Sequence, residues 1–363
     1  MPTSVLCVVG TRPNLIKAGP LMRELRRHPE AFRTRLVHTG QHYDRNLSQL
    51  LFEDLGMPEP DLNLGVGSGT HAEQTAKVMI ALESTFQSER PDLVVVFGDV
   101  NSTMAGAIVA AKLCVKVAHV ESGLRSFDRT MPEEINRIVT DHLSDYLFVS
   151  ERSGLENLSR EGIPDAKVFF TGNIMIDSLL ATLDVVKQSD VIERLHLSPR
   201  QYAVMTLHRP SNVDDRETLA GILQTMRAVA ARTPIVFPCH PRTRHNIERF
   251  GLGGNLSASL ILTEPLGYTD FCRLTYESAF VLTDSGGIQE ETTFLKVPCI
   301  TMRDNTERPV TVTIGSNVMT GNDSARIIAA VDAILGGRAK AASIPELWDG
   351  HTAERIVEIL KGI

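Results

Sequence analysis

The chain has 363 residues, of which 42% are hydrophobic and 22% charged, enough apolar material to build cores and too much for a disordered chain. The length suits two α/β domains of roughly 150–200 residues better than one. A net charge of −7 excludes the broad basic footprint of a nucleic-acid binder but leaves room for a locally built anion site.

No stretch approaches the ~18 continuous apolar residues of a membrane span, and the opening MPTSVLCVVG carries no basic leader, so a soluble cytoplasmic protein without membrane or nucleic-acid partners is expected. Cys7, Cys114, Cys239, Cys272 and Cys299 are scattered and form no CxxC pair. They are expected to be buried structural thiols rather than a disulfide framework or a zinc site, and no metal site is expected.

In chain order, short β-branched runs alternate with helical patterns. Strands are predicted at Val5–Val9, Arg35–His38, Asp92–Phe97, Val115–Val120, Tyr146–Val149 and Val168–Thr171. Helical spacing lies between them at Leu15–Leu25, Ala72–Phe86 and Ser102–Leu113. Continuous apolar strands of this kind belong to parallel sheets covered on both faces. After a helical stretch at Ile176–Val186 and a polar run, the pattern restarts. Strands are predicted at Ala203–Leu207, Ile235–Pro238, Leu260–Leu262, Phe280–Thr283 and Ile300–Met302. The helices there are Glu217–Ala230, Asp270–Tyr276, Ile288–Leu295 and Ala325–Leu335. The expected architecture is α/β, two doubly wound Rossmann-like domains, 1–172 and 173–363, with a ligand cleft at their strand C-terminal edges. The last helix, within 352–363, could pack on either domain.

Polar residues recur at predicted strand ends. Gly10-Thr11-Arg12-Pro13-Asn14 turns from the first strand into a helix, putting Arg12 and Lys17 near a helix N-terminus that favours anions. Phe97-Gly98-Asp99 and His119-Val120-Glu121 each end a strand with a carboxylate. Pro132-Glu133-Glu134-Ile135-Asn136-Arg137 starts a helix, with Glu133 and Arg137 spaced for an ordinary ion pair. Each cluster alone has a structural explanation, a helix cap or a surface pair. Three acidic clusters on one sheet edge point to proton-transfer chemistry.

The second half carries the opposite polarity. Leu207-His208-Arg209 and Cys239-His240-Pro241 close two strands. Thr283-Asp284-Ser285-Gly286-Gly287 leads from strand through a glycine turn into a helix, a cradle for a pyrophosphate, with Glu290 and Glu291 one turn in, facing ribose hydroxyls. Neither GxxxxGK[ST] nor GxGxxG occurs, so the Walker and nicotinamide readings have no motif behind them.

In these motifs the chain resembles the non-hydrolysing UDP-N-acetylglucosamine 2-epimerase family. The resemblance runs through GTRPNLIK, TGQH, GDVNST, HVESGLRS, PEEINR, TGN, LHR, TDSGGIQEE and RDNTERP, in that order. It implies a GT-B fold and reversible conversion of UDP-GlcNAc to UDP-ManNAc by elimination and re-addition of UDP through a 2-acetamidoglucal. It further implies no nicotinamide or metal cofactor, a homodimer, and in many members activation by UDP-GlcNAc at a second site. By motif, Asp99, Glu121 and Glu133 carry over as acid–base carboxylates, with Arg137 beside them and His208 at the departing pyrophosphate. Arg12, Lys17, Arg209, Ser285, Gly286, Gly287, Glu291 and Arg308 carry over to UDP binding, and Gln41, His42 and His240, with Lys77 in place of an arginine, to the activator site. Asn14 stands where the family commonly has Glu. The alternatives are an epimerase of a UDP-diacetamido-uronic acid and a GT-B glycosyltransferase using a UDP-sugar.

Overall fold

The computed structural model describes residues 1–41 and 59–362. Within them the chain divides into two compact units, Met1–Thr182 with Glu346–Ile363, and Leu183–Pro345.

The first unit holds a parallel sheet of seven described strands, in the order β3-β2-β1-β4-β5-β6-β7. They are β1 Thr3–Val9, β2 Phe32–His38, β3 Leu62–Asn63, β4 Leu93–Phe97, β5 Lys116–Ser122, β6 Tyr146–Val149 and β7 Val168–Phe170. Central strand β4 is buried along its whole length, which is why its sequence is continuously apolar rather than alternating. The helix Asn101–Lys112 lies close on the sheet because Gly106 has no side chain: a Cβ there would come 3.1 Å from Val96 Cγ1. The helix His71–Glu89 opens with a reciprocal capping box between Thr70 and Glu73.

The second unit repeats the plan with six described parallel strands, ordered β10-β9-β8-β11-β12-β13. They are β8 Ala203–Met205, β9 Ile235–Pro238, β10 Leu260–Thr263, β11 Phe280–Thr283, β12 Cys299–Thr301 and β13 Asn317–Met319. Phe237, Phe280, Met205 and Ile300 from these strands meet Leu223, Met226 and Ile327 from the helices in one core. The short edge strands β3 and β13 have no counterpart among the predicted elements.

The sequence boundary at 172/173 falls on the turn into the helix Ile174–Gln188, whereas the compact units part within that helix, at Thr182. Its first half is tied to the first unit: Ser178 Oγ donates to Ile16 O at 2.6 Å, and Asp177 Oδ2 accepts from Ala353 N at 2.8 Å. The closing helix Thr352–Leu360 accordingly belongs to the first unit.

Four cysteines are buried, and burial pushes the Cys7 thiol up to about 12, which makes it inert. Cys114 departs from the expectation and is exposed, because it forms the left-handed turn (φ +56°) between the helix Asn101–Lys112 and β5. No described helix is long and apolar enough to cross a membrane.

Candidate active site

In the first unit, the carboxylates sit where strands end. Glu121 closes β5 at φ +72°, a backbone conformation rare for a residue with a side chain, at an irregularity in the β5–β6 register between Val120 and Ser122. Its Oε2 lies 2.6 Å from Lys17 Nζ, both side chains almost wholly buried. Gly98 (φ +61°), at the end of β4, leaves the space this pair needs: a Cβ there would come 2.9 Å from Lys17 Nζ and 3.9 Å from Glu121 Oε1. Lys17, expected at the nucleotide, is thus the partner of Glu121.

Asp99 follows Gly98 and pairs with Arg137 Nη1, while its carbonyl accepts from Asn136 Nδ2 at 2.9 Å. Arg137 and Asn136 both stand on the helix Pro132–Leu143, which has a proline in its first turn and half-buried Glu133 after it. Arg137 also meets Glu134, at 2.7 Å and 3.0 Å. Glu134 in turn accepts from Ser126 N and Phe127 N, each at 2.9 Å. Burial would raise the Glu134 carboxyl, but hydrogen bonds from Ser126 and the Arg137 charge outweigh it and hold it below the usual carboxylate range. Asn14 bridges the ends of β1 and β4: its Oδ1 accepts from Gly10 N at 3.3 Å and its Nδ2 donates to Phe97 O at 2.9 Å. Arg12, first residue of the helix Arg12–Arg26, is half-buried.

The second unit gathers its groups around Asp284, whose side chain is wholly buried at the end of β11. One of its oxygens accepts from His208 N at 2.9 Å and Arg209 N at 2.8 Å, and the other lies 2.9 Å from His208 Nδ1. Burial opposes charge on Asp284, but the His208 contacts prevail and keep it below the ordinary range. With Nδ1 committed to a carboxylate, the tautomer of His208 is set and Nε2 remains as the other polar atom of the ring.

Ser285 is the N-cap of the helix Gly286–Leu295 and uses no side-chain cap bond. The two glycines differ. A Cβ on Gly286 would come 2.5 Å from Glu307 Oε1, so this glycine makes room for protein, whereas Gly287 faces open space. Arg308 is held between Glu290 Oε1 and Glu307 Oε1, each at 2.8 Å, and all three side chains are buried. Glu290, expected to face a ribose, is therefore engaged by Arg308. Glu291, also buried, accepts from Tyr268 Oη at 3.1 Å.

A family model described as UDP-N-acetylglucosamine 2-epimerase matches residues 23–361. The chain belongs to this family. The UDP-N-acetylglucosamine 2-epimerase of Methanocaldococcus jannaschii is 43% identical over 360 residues, covering 97% of each chain. The UDP-2,3-diacetamido-2,3-dideoxy-D-glucuronate 2-epimerase of Pseudomonas aeruginosa is 41% identical over 335 residues, covering 92% of each. A crystal structure of the Methanocaldococcus jannaschii UDP-GlcNAc 2-epimerase in complex with UDP-GlcNAc and UDP superimposes with a TM-score of 0.92, at 42% identity, over 99% of this chain and 100% of that one. The two doubly wound units make up a GT-B type α/β fold.

Of the residues that the resemblance carries over to an expected activator site, Gln41 is buried in the first unit, where its Oε1 accepts from Ser102 N at 3.1 Å and Ser102 Oγ at 2.7 Å. Lys77 is exposed on the helix His71–Glu89, and His42 lies outside the described residues. His240, in the second unit, caps the helix Pro241–Arg249 through a bond from Arg242 N to Nδ1 at 3.2 Å, with its ring centroid 6.0 Å from that of His208.

Among the described residues, sequence reasoning gave no site role to Glu134, Asp141 and Glu307, carboxylates that pair with Arg137, Arg125 and Arg308 respectively. One signal was available. His119 lies inside a strand otherwise built for burial, and a buried imidazole calls for polar partners.

Proposed function

We propose that this epimerase interconverts UDP-GlcNAc and UDP-ManNAc, with the proton-transfer groups in the first unit and the nucleotide groups in the second. The C2 proton of the sugar is very weakly acidic, so its removal must accompany cleavage of the C1–O bond. A base takes the C2 proton, the C2–H electron pair forms the C1=C2 bond, and the C1–O pair leaves with the β-phosphate oxygen of UDP. The return step delivers a proton to the opposite face of C2 as the phosphate oxygen re-attacks C1. Proton-transfer groups on both faces are needed, and Asp99, Glu121 and Glu133 supply them, oriented by Arg137 and Lys17. The departing pyrophosphate gains charge, which His208, Arg209, Arg12 and Arg308 and the amides at Ser285–Gly287 stabilise.

The observation that best supports this reading is the set of carboxylates at the ends of β4 and β5 and in the first turn of the helix Pro132–Leu143, in a chain matching the epimerase family almost end to end. Proton NMR of UDP-GlcNAc with enzyme in deuterated water tests it. UDP-ManNAc signals should grow in, with both epimers losing their C2 proton signal. Conversion to free sugar and UDP alone, or turnover that leaves C2 protonated, would refute it. A second reading, with a UDP-diacetamido-uronic acid as substrate, is favoured by the 41% identity to the Pseudomonas aeruginosa enzyme, and the same measurement with that sugar separates the two. Cytoplasmic location and a homodimeric assembly complete the proposal.

The nucleotide assignment carries its own prediction. Ser285→Ala and His208→Ala should each weaken UDP binding in calorimetry by about 1.5–3 kcal/mol, the usual worth of a hydrogen bond to a charged group. Unchanged affinity in both would place the pyrophosphate elsewhere.

A further inference from the structure

Glu121 poses a problem that its own side chain does not solve. A left-handed backbone at a glutamate costs about 1–3 kcal/mol and persists only where the surroundings over-determine it. The residues two before and two after it are fastened to one buried carboxylate. His119 Nδ1 lies 2.7 Å from Asp141 Oδ1, and Gly123 N donates to Asp141 Oδ2 at 3.1 Å. Neither the His119 nor the Asp141 side chain has any exposed surface.

The fastening extends in both directions. His119 Nε2 lies 2.8 Å from Gly98 O, the carbonyl just before Asp99. Both ring nitrogens thus face oxygen acceptors. Arg125 Nη1 reaches Asp141 Oδ2 at 2.7 Å, and the rest of that guanidinium grips Glu161 through two bonds of 2.7 Å. Gly123 itself (φ +79°) is pressed against backbone, since a Cβ there would come 2.6 Å from Gly154 O. Asp141 stands on the helix Pro132–Leu143, the one that carries Glu133 and Arg137. One side chain therefore ties together the end of β4, the end of β5 and that helix.

We propose that Asp141 is a positioning residue for epimerisation, holding Glu121 in its left-handed conformation through His119 on one side and Gly123 on the other. It touches no reacting atom and acts on the chemistry through Glu121, so the proposal rests on the acid–base reading of Glu121 given above. Leucine fits about the same space and can bond neither His119 nor Gly123, so both fastenings are lost, whereas asparagine would keep both once the His119 ring carried its proton on Nε2.

A double-mutant cycle reads this directly. Asp141→Leu alone is expected to lower kcat roughly 10–100-fold with KM nearly unchanged, since small misplacements of a catalytic group cost on that scale. In a Glu121→Gln background the same substitution should lower the residual rate by no more than about threefold, because coupled residues are not additive. Equal losses in the two backgrounds would overturn the proposal, as would an Asp141→Leu enzyme within about threefold of the parent rate. Glu121→Gln turning over like the parent would instead remove the acid–base reading, and this proposal with it. Should Asp141→Leu fail to fold by circular dichroism, His119→Gln carries the same cycle with the same expected pattern, since glutamine cannot bond Asp141 and Gly98 together.

Discussion

Asp99→Asn, Glu121→Gln and Glu133→Gln are each expected to cut turnover by at least about 10²-fold, a typical contribution of a general acid or base. Each substitution keeps the shape of the side chain and removes its capacity to carry a proton to or from carbon. UDP affinity should move far less, because the groups assigned to the nucleotide belong mainly to the second unit. The three need not fall equally. Glu121 loses its ion pair with buried Lys17 as well as its proton chemistry, and a lysine left unpaired at such depth carries a further cost. Asp99 is a quarter exposed, at 26%, and Arg137 keeps a second carboxylate in Glu134, so Asp99→Asn is the cleaner test of chemistry. Initial rates from UDP-GlcNAc, with calorimetric UDP binding on the same preparations, decide the matter. Three variants with near-parental rates would strip these residues of their role.

The parts of this molecule that could be read from sequence are those whose physics is local. Strand β4 declares itself because burial on both faces leaves no room for alternation, and the turn at Gly10 into the helix Arg12–Arg26 declares itself through Pro13. Strands β3 and β13 were not legible, because two or three residues at a sheet edge leave no period to count. The site divides along the same line. Asp99, Glu121 and Glu133 stand at strand ends and a helix start, where local pattern points. Their partners do not. Glu133 and Arg137 have the spacing of an ion pair, yet Arg137 grips Glu134 and distant Asp99. Asp284 anchors the turn that begins with His208 from another strand, and Glu307 fills the space beside Gly286. Sequence shows that a buried charge needs a partner, and only the fold shows which one it has.

Gly172→Ala is expected to destabilise the first unit by about 3 kcal/mol or more, combining backbone strain with a clash that cannot relax cheaply. Gly172 has φ +94°, and a Cβ built on it would come 2.1 Å from Leu347 O, a backbone atom. Leu347 is itself left-handed, at φ +59°, so neither chain has an easy direction in which to yield. The contact lies in the seam by which the C-terminal segment returns to the first unit. Trp348, 1% exposed, donates from Nε1 to Ser150 O at 3.0 Å. Arg355 donates to Thr171 O at 3.1 Å, next to the glycine, and Asp177 receives the first turn of the closing helix at Ala353 N. Forcing Leu347 away would strain these bonds together and loosen the helix Thr352–Leu360. Chemical denaturation of parent and variant measures the loss, and limited proteolysis should show earlier cutting in the returning segment of the variant. An unshifted denaturation midpoint would mean that the seam accommodates a methyl group, and that the return of the C-terminal helix rests on Trp348 and Asp177 rather than on close backbone approach at Gly172.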